Sequence, residues 1–569
     1  MAPIRKPTSL DIGVLFVGLW LLLKAIGILL RRSNTTRLTG PPSESWLFGF
    51  SSFMSIGDPS LAYEQWAEQY GAVFRVPITV YVSITSRLGM GQTKIVVCDP
   101  KAIQHIYSKT TFGYIYSKAR KKELSAIVGE GILWAEGEHH KRQRKALTPA
   151  FSNAAIRKLA PVFFDSAYKV KNAWDSLLES NGEAIIDVQG WMNHVTLDSL
   201  GIAGFSHDFG TLQGKYSVVA EVLDSFGGIK LTFVDIFKLI FSPAFPVLTT
   251  IPTPRFNLFK KFKLTSKEIS RELLERTRKE KKGDVEDKKD YSVIGLLIRA
   301  SNDNSEHPMS DDEVTDQVKT HSTSLYTRIK ATILTGLRCI QMTVLIAGGY
   351  NTTSISLTWA LIELAKNQSI QTKLREELAC QYRNEGDPTF DQFTSSLPYL
   401  DAVVHEVLRM HTSIWETIRV AAKDDIIPLS VPIQTADNKT VDCISLAAGQ
   451  VISIPIRAIN RSSKFWGPDA KEFKPERWIE EGGIQGNAQD IQGHRHLLSF
   501  ADGPKMCLGK SFALATFKAT LSVLVRNYTF ELRDGPDTKI EVGRALGTLR
   551  PKIVGEDECR MPLRVRRVD

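Results

Sequence analysis

The chain is poor in cysteine, with six in 569 residues. They form no Cys-x-x-Cys pair and have no regular spacing: Cys98, Cys339, Cys380, Cys443, Cys507 and Cys559. This pattern argues against a disulfide framework and against a zinc site built from cysteine pairs. It favours a domain that faces the reducing cytosol.

The charge, the missing motifs and the hydrophobic content limit the classes of function further. The formal net charge of +10 favours an acidic partner or an anionic membrane surface. Nucleic acid is a poor alternative, because the chain has no basic low-complexity arm and no nucleic-acid-binding module. It has no tandem repeat and no flavin or dinucleotide motif, so electrons for redox chemistry would have to come from another protein. A hydrophobic content of 43% is ample for one large core.

A long apolar run spans Leu10–Leu30 and is followed by Arg31, Arg32 and Arg37. A helix needs about 20 residues to cross a bilayer. A cleaved signal peptide is the competing interpretation, but its apolar core would be shorter and would end in small residues. The basic cluster after the run favours an uncleaved anchor over residues 1–37, with the following domain in the cytosol.

A proline-rich hinge and entry segment follows the anchor over residues 38–60. Its first part, Leu38–Ser43, predicts a stiff, non-helical connector. A short helix is predicted at Tyr63–Tyr70. Strand character is found at Phe74–Val76 and Lys94–Val97.

A loop rich in glycine and proline, Phe500–Gly509, delivers Cys507 to the start of an apolar helix predicted over Phe512–Val525. We call this segment the cysteine loop. Gly503 and Gly509 allow close backbone approach and a positive φ, which a turn around a flat cofactor would need. A helix N-terminus stabilises an anion, so Cys507 is placed to be a thiolate that binds a metal. A buried structural cysteine in a turn is the alternative.

A second chemical signal lies inside a long apolar helix predicted over Met342–Lys366. Gly348 and Gly349 are followed by Asn351 and Thr352, which weakens the helix interior and predicts a local opening or a kink. A free hydroxyl there could hold a water molecule and relay protons. The alternative is helix packing through small residues.

The segment Val318–Gln341, just before this helix, is rich in Thr, Ser, Lys and Arg and has no helical apolar stripe. Joining Gln317 to Met342 would restore an uninterrupted pattern from a helix start at Ser310. The genetic code permits an intron that begins with GT at Val318 and ends with CAG at Gln341. The segment is therefore either a retained intron or a genuine surface insertion, and Tyr81–Met90 is a second, weaker case.

Two further helices carry charged residues on one face. Glu138–Lys145 is strongly basic, and its His140 and Arg144 stand four residues apart. In the helix predicted over Pro398–His411, Glu406 and Arg409 stand three residues apart. Such a pair is ordinary on a surface, but it must be mutually satisfied if it is buried.

These segments, in this order, resemble the motifs of the cytochrome P450 family. The cysteine loop resembles its haem-binding loop, and the run from Gly348 resembles its oxygen-activating distal helix. Glu406 and Arg409 resemble its Glu-x-x-Arg signature, to which a Pro-Glu-Arg segment adds Arg477 in a structural charge network. Glu138–Lys145 resembles the helix that holds a haem propionate. The resemblance covers nearly the whole chain and implies a mainly α fold with a smaller β region, formed by a single domain of residues 61–569 behind an N-terminal transmembrane helix.

The resemblance also implies a role for each matching residue. Cys507 would bind the iron, and Thr352 and Asn351 would act in catalysis. Haem b would be held by His140, Arg144, Gly349, Arg419, Phe500, Gly503, Lys505, Cys507 and Gly509. His496 is a further candidate for propionate contact. Lys505 stands where the family usually has Arg or His, His140 replaces a tryptophan, and Asn351 replaces an acid, which puts the proton-delivery route in question.

The function implied by the resemblance is oxidation of an apolar small molecule by O2, with electrons from NADPH. NADPH–cytochrome P450 reductase would be the partner, with cytochrome b5 as a further one, on the cytosolic face of the endoplasmic reticulum. The pattern is similar to fungal microsomal members, which favours secondary metabolism. Two alternatives stay open: a haem-thiolate isomerase or dehydratase that needs no external electrons, and a haem-binding protein without activity. Pocket loops such as Phe112–Tyr116 and Thr412–Thr417 follow no general code for the substrate.

Overall fold

The computed structural model describes residues 35–43, 58–77, 93–225, 323–381, 387–545, 548–556 and 560–568, with scattered positions between 232 and 292. For residues 323–342 it describes the backbone. The predicted anchor Leu10–Leu30, the segment Tyr81–Met90 and the helix start at Ser310 lie outside the described residues. Within the described part of the chain, no helix is long and apolar enough to cross a membrane.

Helices dominate the fold. In chain order they are α1 (Ser60–Tyr70), α2 (Pro100–Ser108), α3 (Lys118–Val128), α4 (Gly137–Leu147), α5 (Asn153–Leu178), α6 (Val188–Phe205), α7 (Val218–Ser225), α8 (Thr323–Lys366), α9 (Gln368–Gln381), α10 (Phe390–Ser395), α11 (Pro398–Met410), α12 (Ile456–Asn460), α13 (Ser463–Trp466), α14 (Gly486–Gln489) and α15 (Lys510–Asn527). The mainly α architecture predicted from the sequence is confirmed.

In the part of the chain that the structure describes, the smaller β region forms four sheets. Its strands are β1 (Val73–Pro77), β2 (Thr93–Val97), β3 (Tyr114–Ile115), β4 (Glu183–Asp187), β5 (Thr417–Ala421), β6 (Asp425–Gln434), β7 (Thr440–Leu446), β8 (Val451–Ile454), β9 (Tyr528–Leu532), β10 (Ile540–Ala545), β11 (Thr548–Ile553) and β12 (Pro562–Arg567). One sheet has the order β1-β2-β8-β5-β3, with β2 and β8 parallel and its other pairs antiparallel. A second has the order β4-β12-β9, and β6–β7 and β10–β11 are hairpins.

The core is built around α8, α11 and α15. In α15 nearly every residue from Phe512 to Val525 is buried, as expected for a helix that is apolar on all sides. In α8 the residues from Ile355 to Ala365 are also buried. α15 follows the cysteine loop directly, so the core fixes the position of that loop.

The start of α8 differs from the sequence-based expectation. The helix begins at Thr323 and not at Met342, so most of Val318–Gln341 continues the helix and is not looped out. The absence of an apolar stripe did not prevent helix formation, because helical hydrogen bonds run along the backbone and need no particular side chains. This geometry does not distinguish a retained intron from a genuine insertion.

Candidate active site

The cysteine loop is a tight turn that is packed against α2. The amide of Cys507 donates to the carbonyl of Phe500 at 2.8 Å. Gly503 has φ 65°, and a Cβ added there would lie 2.5 Å from the carbonyl oxygen of Tyr107, so only glycine fits. Gly509 differs from the expectation, because its φ is −83°. A Cβ at Gly509 would meet no protein atom within 4 Å, so this side of the loop is open.

Cys507 is exposed to solvent at this open side. Many protein atoms nevertheless lie close to its sulfur and reduce the water around it. Burial raises its pKa, and the opposing effects of the Gly509 amide, Arg144 and Lys510 do not compensate fully. The expectation that Cys507 is placed to be a thiolate stays a prediction. A bound metal ion reverses the balance, since a coordinating thiol is deprotonated.

A cluster of basic side chains lies beside the loop, and we call His140, Arg144, Arg419 and Lys505 the cationic cluster. Arg144 donates from Nη1 to the carbonyl of Met506 at 2.6 Å, and Lys505 donates from Nζ to the carbonyl of Ala135 at 3.1 Å. Burial, with a contribution from Arg419, lowers the pKa of Lys505 to about 8. Burial together with Lys505 and Arg144 lowers the pKa of His140 to about 4, so its imidazole is neutral at pH 7.

Two tyrosines that the sequence did not single out complete this cluster. The guanidinium carbon of Arg419 lies 4.0 Å from the ring centroid of Tyr116, and Nζ of Lys505 lies 5.2 Å from it. Among the described residues, buried Nε of Arg419 and the buried O–H of Tyr107 donate to no acceptor, while the Thr417 side chain lies close enough to the Tyr107 oxygen to lower its pKa. Glu136 and Asp502 lie close enough to act on Lys505 and Tyr107, but cations outnumber acids in this cluster. Buried donors in such a surplus of positive charge fit a ligand that carries carboxylates, as haem does. His496 is engaged elsewhere, with Nδ1 3.2 Å from the carbonyl of Ile491.

On α8, the face near Thr352 is open. The Thr352 hydroxyl donates to the carbonyl of Gly348 at 2.7 Å, and a Cβ at the exposed Gly348 would meet no atom within 4 Å. The predicted local opening is not found, because α8 stays helical through this turn. Gly349, which was expected to contact the cofactor, packs against α6 instead. A Cβ there would lie 2.9 Å from Cδ2 of Leu200, so this glycine serves helix packing.

Asn351 faces a partner that no motif indicated. Its side-chain oxygen accepts a hydrogen bond from Nη2 of Arg550 on β11, and both residues are buried. On the neighbouring side, the hydroxyl of Tyr350 donates to a carboxylate oxygen of Asp224. The position of the family's acid is thus occupied by an amide bound to a guanidinium.

The structure brings Glu406, Arg409 and Arg477 together away from solvent. Arg409 binds both carboxylate oxygens of Glu406, from Nε at 2.9 Å and from Nη2 at 2.8 Å. Nε of Arg477 lies 3.6 Å from Glu406, while its Nη1 donates to Asp469 at 3.0 Å. A substrate cannot reach Glu406, Arg409 or Arg477, because each is at most 3% exposed. Asp469, at the edge of the group, is 25% exposed.

Comparison with known proteins decides the family. The profile of the Cytochrome P450 family matches residues 40–322 and 339–554. The chain belongs to the cytochrome P450 family. The gap in this match, residues 323–338, lies inside Val318–Gln341. The resemblance drawn from the motifs is confirmed, and the chain is a P450 monooxygenase that uses haem b and electrons from NADPH through a reductase.

Three relatives of this P450 come from fungi. It is 51% identical to "Cytochrome P450 monooxygenase claQ" of Ampulloclitocybe clavipes and 50% identical to "Cytochrome P450 monooxygenase claP" of the same fungus, over all of each chain. It is 31% identical to "Cytochrome P450 monooxygenase 205" of Postia placenta, over 98% of this chain and 97% of the relative.

The residues present fit the haem that the family uses. Cys507 supplies a thiol on an open face, and the cationic cluster with Tyr107 supplies donors for the two carboxylates. Haem, when bound, supplies the iron at which oxygen is activated, and a thiolate ligand favours O–O cleavage. The open turn at Gly348 and Thr352 then provides a hydroxyl that can hold water.

Proposed function

We propose that this P450 is anchored in the endoplasmic reticulum membrane and oxidises an apolar small molecule in fungal secondary metabolism. The proposal of an apolar substrate rests on the loop Thr412–Thr417, which packs against the turn of α8 that contains Thr352. Oγ of Ser413 donates to the carbonyl of Thr352 at 3.0 Å, and the backbone carbonyl of Ser413 accepts from the amide of Leu549 at 3.1 Å. Ile414, the next residue, is 37% exposed, so an apolar surface lies beside the reacting turn.

Electrons would enter through α4. His139, Lys141, Arg142 and Lys145 are exposed on this helix, while Arg144 on the same helix contacts the cysteine loop. A basic surface of this kind suits an acidic redox protein such as NADPH–cytochrome P450 reductase or cytochrome b5. Docking there would place the donor on the side of the cysteine thiol.

The membrane anchor is proposed from the sequence of Leu10–Leu30. The segment after it is fixed to the domain, because the amide of Thr36 donates to the carbonyl of Ser445 at 3.0 Å. The amide of Ser445 donates in return to Oγ1 of Thr36 at 2.8 Å. Thr36 follows the end of the proposed anchor closely in the chain. The β6–β7 hairpin, to which Thr36 is bonded, would therefore lie close to the membrane surface, with the domain on the cytosolic side.

The test is product profiling of the full chain in yeast microsomes with its reductase. With candidate apolar substrates and labelled O2, we expect products that carry one labelled oxygen and form only with NADPH and reductase. Products that form without NADPH would favour the isomerase or dehydratase alternative. A haem-loaded protein that consumes no oxygen with any substrate would favour the inactive alternative.

The location is tested separately. Carbonate extraction should leave the chain in the membrane pellet, and N-terminal sequencing should recover residues upstream of Leu10. A mature chain that starts beyond Arg32, or that is fully soluble, would contradict the anchor.

A further inference from the structure

A buried arginine lies behind the distal turn, on β11. Arg550 is 2% exposed, donates from Nη2 to Asn351, and has a buried Nε with no hydrogen-bond partner. No carboxylate among the described residues lies within ion-pair distance of it. Burying an unpaired charge is strongly unfavourable in proteins, so this arrangement is not expected from packing alone.

Asp224 and Arg550 both act electrostatically on the hydroxyl of Tyr350, but the hydrogen bonds of this acid go to other residues. Asp224 accepts from the hydroxyl of Tyr350 and from Nδ2 of Asn193, the latter at 2.8 Å. The backbone carbonyl of Tyr350 accepts from Oγ1 of Thr196 at 3.2 Å. Arg550 is thus left with the side-chain amide of Asn351 as its partner.

This contact sets the orientation of the amide. A guanidinium can only donate, so it takes the amide oxygen and leaves the amide NH2 as a donor. Arg550 is too buried to be reached by a substrate, and any effect on the reaction must pass through Asn351. A carboxylate at the same position would instead form a buried ion pair and stay ionised.

We propose that Arg550 is a positioning residue that turns Asn351 into a fixed, neutral hydrogen-bond donor beside Thr352. The amide orients a water molecule and loses no proton itself, so the protons delivered there come from water. Proton delivery in this P450 then needs no titrating acid at the family's acid position. This inference rests on the proposed oxidation, although its second test below does not.

The first test uses the charge state of a carboxylate. The quantity measured is the fraction of NADPH that yields hydrogen peroxide, between about pH 6 and pH 9. It is compared among four proteins: wild type, Asn351→Asp, Arg550→Met and the double variant. Wild type and Asn351→Asp should give flat profiles, because Arg550 keeps the pKa of the new carboxylate low. The double variant should show an inflection, because a buried carboxylate without a counter-ion has a raised pKa.

The other titratable groups that face this position should not produce that inflection. The pKa of Tyr350 is raised well above its usual value by burial and by Asp224, so it stays protonated in this range. Arg550→Met alone should raise the peroxide fraction several-fold. Arg550→Lys, which keeps a charged donor, should bring the peroxide fraction most of the way back to the wild-type value.

The second test is independent of turnover. A double-mutant cycle in thermal unfolding should show that Asn351→Asp shifts the midpoint upward with Arg550 present and downward with methionine there. Arg375→Met is the matched control, since Arg375 is a partly buried arginine that donates to the carbonyls of Val525 and Tyr528. It should lower the midpoint without coupling to Asn351.

Three results would overturn the proposal. They are an inflection in Asn351→Asp alone, additive midpoints in the cycle, and a peroxide fraction in Arg550→Met equal to wild type. If Arg550→Met fails to take up haem, the profile of Asn351→Asp decides alone. If wild type forms no oxygenated product while the midpoints stay coupled, then the proposed oxidation fails and the positioning contact stands.

Discussion

Replacing Glu406 with glutamine removes the negative charge from the buried network behind the cysteine loop. Glu406 and Arg409 have no exposed surface, and Arg477 is 3% exposed. Besides Arg409, the Glu406 carboxylate accepts from the amide of Lys474 and from the indole of Trp478, both at 3.0 Å. Glutamine has nearly the same shape, but its NH2 group would face donors and would leave the guanidinium of Arg409 without its counter-charge, while Arg477 keeps its ion pair with Asp469.

The size of the loss follows from burial. Removing one partner of a buried ion pair costs about 3–5 kcal/mol. Arg409 keeps hydrogen bonds from Nη1 to the carbonyls of Asn460 at 2.9 Å and Ala470 at 2.6 Å. These bonds hold the guanidinium in place, so we expect the lower end, about 3 kcal/mol of unfolding free energy.

The assay is urea denaturation of the haem-loaded protein, followed by far-ultraviolet circular dichroism. Glu123→Gln is the matched control. It breaks the ion pair of Glu123 with Arg120, which has the same three-residue spacing. The Arg120 side chain is 48% exposed and the Glu123 side chain is 37% exposed. This control should lose less than about 1 kcal/mol. A loss in Glu406→Gln no larger than the control's would refute the argument that burial makes this network structural.

Three further predictions concern the cofactor, the partner and the gene. Tyr107→Phe should speed haem release to a scavenging protein several-fold, whereas an unchanged rate would mean that the hydroxyl serves no haem carboxylate. Reversing charge at Arg142 and Lys145 should raise the reductase concentration needed for half-maximal turnover, less so in high salt, and leave the reduced-CO spectrum unchanged. Equal turnover at every reductase concentration would place docking elsewhere. Deleting Val318–Gln341 should keep or improve haem uptake and raise activity, and part of the transcripts should lack the segment. If every transcript keeps it and the deletion loses haem, the segment is a genuine part of the fold.

Sequence reasoning succeeded where the signal is local. The helices predicted at Glu138–Lys145, Pro398–His411 and Phe512–Val525 match the observed α4, α11 and α15 to within a few residues. Neighbouring residues set these patterns through helical spacing. The contact between Glu406 and Arg409 was readable for the same reason, since residues three apart share a helix face.

Other features depend on contacts far apart in the chain. Arg550 and Asn351 are separated by 199 positions, and no motif links them. The glycine that faces the open site is Gly348 and not Gly349, because one residue turns a helix face by about 100° and only packing against α6 fixes that rotation. The pKa of Cys507 likewise depends on the surrounding fold, where burial outweighs the nearby helix terminus and positive charges.

The most direct test of the central claim is the reduced-CO difference spectrum of the wild-type chain and of Cys507→Ser. The wild type should give the band of a thiolate-ligated haem. Cys507→Ser should lose that band, because Cys507 is the cysteine on the open face of the loop. A normal thiolate-type band in Cys507→Ser would contradict the assignment of this residue as the iron ligand, and with it the site proposed for this P450.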